Sequence, residues 1–398
     1  MVTDSIAVAG FQAYANAFHA KYPNVTVQVT GEDFNSGVTN AAHILQSDNA
    51  PDIVREVYLP NLVKDHLVLN LDPYAKAYGW DKWPQSQFDS MRVSSDGSQM
   101  GTGSIYGVGP GFGLTGIYYN KDIASKLGIT SAPKTLSEFE ADMAKAKAAN
   151  IIPFDIDGKD TLETYPLQNL IMDYAGSPNA LQDWINDKPG ASINTPATIQ
   201  AAKTLKQWYD QGYIPQNLNS QDLNVAINDV VQGKALFFPD GNWAAPIFDQ
   251  NGGKGKIGFF LFPSANASDP VWAMSAPDLV VIPAKAKHPD VAAAFLNFVM
   301  TDETARQATV AKLGFAPAGP ANGSIPPTPS DSAVGPTVTA FNQLLKSNGL
   351  VGFMANATPS MSVSTLFPET QLLIAGKTTT EDFASKLQSD YQSDLGAN

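Results

Sequence analysis

The chain has no cysteine among its 398 residues. That one absence excludes disulfides, thiolate metal sites, iron–sulfur clusters and cysteine nucleophiles. Histidine is nearly as scarce. His19, His43, His66 and His288 are the four present, and none stands four residues from another, so a helix-borne zinc site lacks its ligands. Charged residues make up 16%, against roughly 25% in an ordinary globular protein. Acids outnumber bases 38 to 25, a net charge of −13. A surface of that sign argues against nucleic-acid binding and against adsorption on anionic lipid. No apolar run reaches the roughly 18 residues that a membrane-spanning helix needs. Met1 is followed by Val-Thr-Asp rather than by a basic segment and an apolar core, so no secretory leader is read. The chain is expected to be cytoplasmic, or the mature or shortened form of an exported protein.

What is present is a core. Apolar residues are 43%, with 20 Phe, 13 Tyr and 6 Trp, enough to offset the ordering entropy of a folded chain. The length suits two or three domains of roughly 100–200 residues each. Ile6, Phe11, Tyr14 and Phe18 recur near helical spacing, with Asp4 or Ser5 as the expected cap. VTVQVT at 25–30 alternates and predicts a strand, and PDIV at 51–54 predicts a short buried one. Thr135-Leu-Ser-Glu138 is a capping box, and Thr195-Pro196 places a cap and a first-turn proline before another helix. Further strands are predicted near 151–156, 235–238, 257–262 and 278–282. Alternation of this kind implies mostly parallel sheets covered by helices, an α/β fold. Residues 314–336 are rich in Pro, Gly, Ser and Ala and predict an extended crossing segment.

Few motifs carry chemistry. Eight glycines crowd residues 97–116, which suggests a ligand-facing or hinge segment. No GxxxxGK[ST] phosphate loop and no GxSxG nucleophile elbow occurs. The 38 acids leave a two-carboxylate hydrolase open. Asp155-Ile-Asp157-Gly158-Lys-Asp160, with Glu163 beyond, loosely resembles a calcium loop but lacks EF-hand spacing, and an ordinary polar turn is the plainer reading. The aromatics are more telling. Phe34, Tyr58, Phe112, Trp243 and Trp272 each fall at a predicted strand end or loop, near Asp33, Glu56, Asn242 or Asp278. A sugar ring has apolar C–H faces and a rim of hydroxyls, so its site needs a flat aromatic together with carboxylates or amides. Core packing competes for each ring singly. As a set at strand ends they favour a site, because open α/β sheets bind ligands beyond the carboxyl ends of their strands.

The order of segments resembles the extracellular solute-binding proteins of ABC sugar importers, of the maltose or multiple-sugar-binding type. The stretches that carry the resemblance are AFHAKYPNVTVQV, SDNAPDIV, LVLNLDPYAK, IYGVGPGFGLTGIYYNKDIASKLGI, APKTLSEFEADMAKAKAANIIPF, VVQGKALFFPDGNWAAPIF, IGFFLFP and PDLVVIPAKAKHPDVAAAFLNFVMTDETARQ. They cover most of residues 17–316 in the family's order, and LLIAGKTTTEDFASKLQSDYQ looks like its last helices. The resemblance implies a periplasmic-binding-protein-like (type II) fold, with two lobes joined by hinge crossings and a ligand cleft between them. The N-lobe would be 1–113 and 278–314, and the C-lobe 118–272 and 319–398, with hinges near 111–118, 272–278 and 314–319. Carried over position by position, ligand-binding residues would be Asp33, Phe34, Tyr58, Phe112, Asp157, Asp240, Asn242, Trp243, Trp272, Asp278 and Phe315. Trp243, from a Gly-x-Trp turn, is the expected stacking platform. Asp33, Asp240 and Asp278 are the expected hydroxyl acceptors.

The resemblance further implies a monomeric receptor without catalysis, metal or cofactor. It would carry a mono- or oligosaccharide to the transmembrane subunits of the transporter, at the outer face of the membrane or in the periplasm. A carbohydrate hydrolase or lyase is the alternative from another class, and a non-sugar binder on the same fold is the third. In one respect the chain departs from the family. Only four residues precede the first helix, so the family's first strand is expected to be missing or to be formed by Ile6–Val8.

Overall fold

The computed structural model describes residues 1–320, 323, 325–347, 349–358 and 360–397. The chain forms two compact units, Met1–Gly113 with Ala276–Pro327 and Leu114–Ser275 with Thr328–Asn398.

The first unit is built on strands Val2–Asp4, Thr30–Glu32 and Val54–Arg55, all parallel, with Val280–Val281 antiparallel at the edge beside Val54–Arg55. Val2–Asp4 lies inside this sheet, between the other two parallel strands. The first strand is therefore present, formed by residues ahead of Ile6. Ser5–Ala7 is instead a 3-10 turn that opens the helix Val8–Lys21. The cap differs too: Asp4 makes no side-chain cap bond, because its carboxylate is taken by Arg55. The alternating run 25–30 enters the ladder only at its last residue. Beside it Met1 N donates to Gln28 O and Thr30 N to Met1 O. Phe18 packs edge-on against Phe295 and Phe298, each 5.3 Å away, and these buried rings tie the first helix to Pro289–Thr301. Burial of each such side chain is worth roughly 1.5–3 kcal/mol.

In the second unit the strand order is Leu350–Val351, Ala273–Pro277, Gly111–Asn120, Ala235–Gly241, Ile152–Phe154. Two of its helices start as their sequences dictate. Thr135 Oγ1 accepts from Glu138 N and Thr195 Oγ1 from Thr198 N, both at 3.2 Å. Glu138 reaches back one residue further than a capping box requires, accepting from Lys134 N. Phe139 sits among Phe154, Trp208 and Phe237 and fixes the helix Leu136–Ala148 on the sheet.

The last boundary between the units falls after Pro327, beyond the 314–319 expected. The strand Ala316–Pro317 pairs antiparallel with Gly111–Phe112. Gln87 then grips Gly319 through both its amide oxygen and its amide nitrogen, and Arg306 donates to the carbonyl of Ala318. These bonds keep the segment in the first unit.

Candidate functional site

In the first unit, parallel pairing gathers the carboxyl ends of three strands. Asp4 stands opposite Glu32, Arg55 ends the third strand, and Glu56 N donates to Leu279 O, bringing Asp278 alongside. Arg55 Nε lies 3.1 Å from Asp4 Oδ2 and 3.9 Å from Asp278 Oδ1. Its guanidinium sits 4.8 Å from the Phe34 ring centroid, a cation–π distance. One cation therefore serves two carboxylates and an aromatic face. Asp278 is buried with Oδ2 lacking a partner. Burial pushes its pKa up to about 7, opposed by Arg55 and reinforced by Asp4. Burial likewise pushes Glu56 up to about 8 and raises Asp4. Asp33 is exposed and serves its own helix. Its Oδ1 accepts from Ser36 N at 3.1 Å and caps Phe34–Gln46. Phe34 is 37% exposed. Tyr58 is half-buried. Phe112 and Phe315 are partly buried against the first unit's core.

In the second unit, Ile152–Phe154 and Ala235–Gly241 run parallel with Phe154 beside Phe237. The turns after both strands consequently emerge at one end. One holds Asp157; the other, with Asn242 and Trp243, follows Asp240 and Gly241 at the end of the strand. Asp157 Oδ1 accepts from Lys159 N and Asp160 N at 2.9 and 3.0 Å, while Oδ2 has no donor. Burial drives its pKa up to about 9, with Asp160 adding to the rise. Asp240 is fully buried. Burial takes it up to about 8, against the amide of Gly241, with Asp160 adding and the Trp243 side chain opposing. Glu163 is buried with neither oxygen partnered, and burial places its pKa at about 8. Buried carboxyls short of donors are costly unless a hydrogen-bonding group is supplied. Asn242 is wholly buried and its Oδ1 accepts from Leu114 N at 3.0 Å, so this oxygen anchors the turn. Trp272 is 9% exposed, just ahead of Ala273–Pro277.

Trp243 is half-buried and has two aromatic neighbours. Tyr165 meets it edge-on at 6.3 Å and 85°, and Phe353 lies 6.4 Å away at 40°. Tyr165 and Phe353 are 5.9 Å apart. All three rings are partly open to solvent. Phe353 is new to the site: it follows the short strand Leu350–Val351, and no motif in its stretch marks it. Glu163 stands out in the sequence only as the end of a cation-like loop. Among the described residues no group of three or more His, Asp or Glu is placed to hold a metal ion, and none of the helices is long and apolar enough to cross a membrane.

Residues 3–306 match the family model described as bacterial extracellular solute-binding protein. The chain belongs to that family. It is a family of solute-binding proteins rather than of enzymes, and it acts outside the cytoplasm. The multiple sugar-binding protein of Streptococcus mutans is 27% identical over 290 residues, covering 71% of this chain and 66% of that protein. A probable sugar-binding periplasmic protein of Mesorhizobium japonicum is 27% identical over 184 residues, 45% of this chain and 40% of that one. The match thus spans about two thirds or less of these relatives' own lengths. A chitin oligosaccharide binding protein superposes with a TM-score of 0.80 at 19% identity, covering 98% of this chain and 96% of its own. The raffinose complex of the solute-binding protein RafE gives 0.77 at 18%, covering 99% and 100%. The solute-binding family thus has here its two-lobe α/β fold.

Proposed function

We propose that this chain binds an oligosaccharide and delivers it to the transmembrane subunits of an ABC importer. It does so as a monomeric, non-catalytic receptor at the outer membrane face or in the periplasm. The observation that carries the reading is the ring cluster of Tyr165, Trp243 and Phe353 beside buried acceptors. Aromatic faces stack on pyranose C–H surfaces, and carboxyls lacking donors accept from sugar hydroxyls. The named sugar-binding relatives support the same ligand class.

In this proposal the first lobe is 1–113 with 278–327 and the second 118–272 with 328–398, with hinges near 111–118, 272–278 and 327–328. The ligand contacts are Asp33, Phe34, Tyr58, Phe112, Asp157, Asp240, Asn242, Trp243, Trp272, Asp278 and Phe315. To these the geometry adds Tyr165, Glu163 and Phe353. Anionic sugars are disfavoured. Arg55 is already held between Asp4 and Asp278, and Asp157, Asp240 and Glu163 offer an anion carboxyl groups rather than a cation.

A thermal-shift screen against mono- and oligosaccharides, with reducing ends assayed in the same wells, tests this. Ligand binding to the folded state alone stabilises it by about 2.7 kcal/mol at a hundredfold excess over Kd. A neutral oligosaccharide should raise Tm without release of reducing ends. A shift with uronates or sugar phosphates instead, or turnover, would contradict it.

A further inference from the structure

We propose that Gly241 and Asp240 are positioning residues that hold the Trp243 indole in place as a platform, an inference that rests on the sugar-binding reading above. Gly241 has φ −88° and ψ 172°, extended backbone open to any residue. The chain conformation therefore gives no reason for glycine here. The space above it does. A Cβ on residue 241 would lie 2.1 Å from Cζ3, 2.2 Å from Cη2 and 2.4 Å from Cε3 of Trp243. The six-membered ring of the indole rests where a side chain would stand, in contact with the end of its own strand.

The surroundings fix that arrangement from below. Gly241 O accepts from Tyr118 Oη at 2.8 Å, and Tyr118 is itself buried between Phe248 and Phe259. Gly241 N donates to Asp240 Oδ1 at 2.6 Å, and the Trp243 side chain donates to the same carboxyl group. Asp240 thus links the glycine to the indole. Asn242 ties the residue between them to Leu114 N. Tyr165 and Phe353 stand against the ring from two other directions. A tryptophan with its rotamer limited in this way loses little further entropy when a ligand stacks on it. Asp240 then acts through Trp243 rather than chiefly as an acceptor for a sugar hydroxyl.

The test uses protein labelled with 5-fluorotryptophan and needs no ligand for its first readout. The Trp243 resonance is assigned by its loss in Trp243→Phe. Gly241→Ala should move that resonance and leave those of the other tryptophans in place. Affinity for the best neutral oligosaccharide should fall roughly tenfold or more, and adding Gly241→Ala to Trp243→Ala should cost nothing further. Should Gly241→Ala fail to fold, Asp240 answers the question. Asp240→Leu should displace the resonance and bind weakly, whereas Asp240→Asn, which keeps an acceptor for the indole, should leave the resonance in place. An unmoved Trp243 resonance in Gly241→Ala would overturn the inference, as would an affinity loss that persists without Trp243. A displaced resonance with unchanged affinity would uphold the positioning role and overturn the sugar-platform reading instead.

Discussion

Arg55 Nε lies 3.1 Å from Asp4 Oδ2, joining the carboxyl ends of two parallel strands that are neighbours in one sheet. The side chains are about one-fifth exposed, and Asp278 shares the same guanidinium. Arg55→Met keeps much of the side-chain volume but leaves Asp4 and Asp278 buried without their cation. At pH 7 this should destabilise the protein by roughly 2–4 kcal/mol. Urea denaturation checks it. A change near zero would mean that water already solvates the triad.

Stability should fall with rising pH. Asp278 and Asp155 are pushed up to about 7, Glu56, Glu163 and Asp240 to about 8, and Asp157 to about 9. Each is a carboxyl whose folded pKa exceeds its unfolded one. The folded state therefore binds more protons between those two values. The stabilisation is complete below about pH 4 and is lost as pH climbs through about 7 to 9, to the extent that other groups do not titrate in the same range. Unfolding in urea at pH 5, 7 and 9 without ligand should give successively lower midpoints. A maximum at pH 9 would contradict the burial of these groups.

Asp33→Ala should cost about 1 kcal/mol of stability through the lost cap of Phe34–Gln46, whereas Asp33→Asn should cost little. Ligand affinity measured on the same two proteins separates the capping role from a direct contact. If Asp33→Asn keeps stability but loses affinity, the side chain touches sugar as well.

Phe353→Ala should weaken oligosaccharide binding by roughly 1–2 kcal/mol, since it removes one wall of the ring cluster and loosens its neighbours. Far-ultraviolet circular dichroism should be unchanged. Full affinity in this variant would remove Phe353 from the site.

Local signals in the sequence locate some of the helix starts. Thr135 and Thr195 sit where their side chains cap, and strand–helix alternation points to the α/β class. Pairing partners are harder to read. Residues 25–30 alternate as a strand should, yet the strand formed there is Thr30–Glu32. Asp4 looks like a helix cap because its competition with Arg55, 51 positions away in the chain, leaves no local trace. Trp243 stands out through its Gly-x-Trp turn. Phe353 joins it through tertiary pairing of Leu350–Val351 with Ala273–Met274, a relation between distant residues that spacing along one chain does not encode. Glu163 is one acid among 38 until burial distinguishes it.

The most direct test is calorimetric titration of the neutral oligosaccharide with the largest thermal shift into the parent protein and into Trp243→Ala. Sugar binding on the Trp243 platform predicts one site per chain, no consumption of the sugar, and a loss of roughly 2–4 kcal/mol in the variant with its fold retained. Undiminished affinity in a folded Trp243→Ala protein, or no heat with any sugar in the parent, would contradict it.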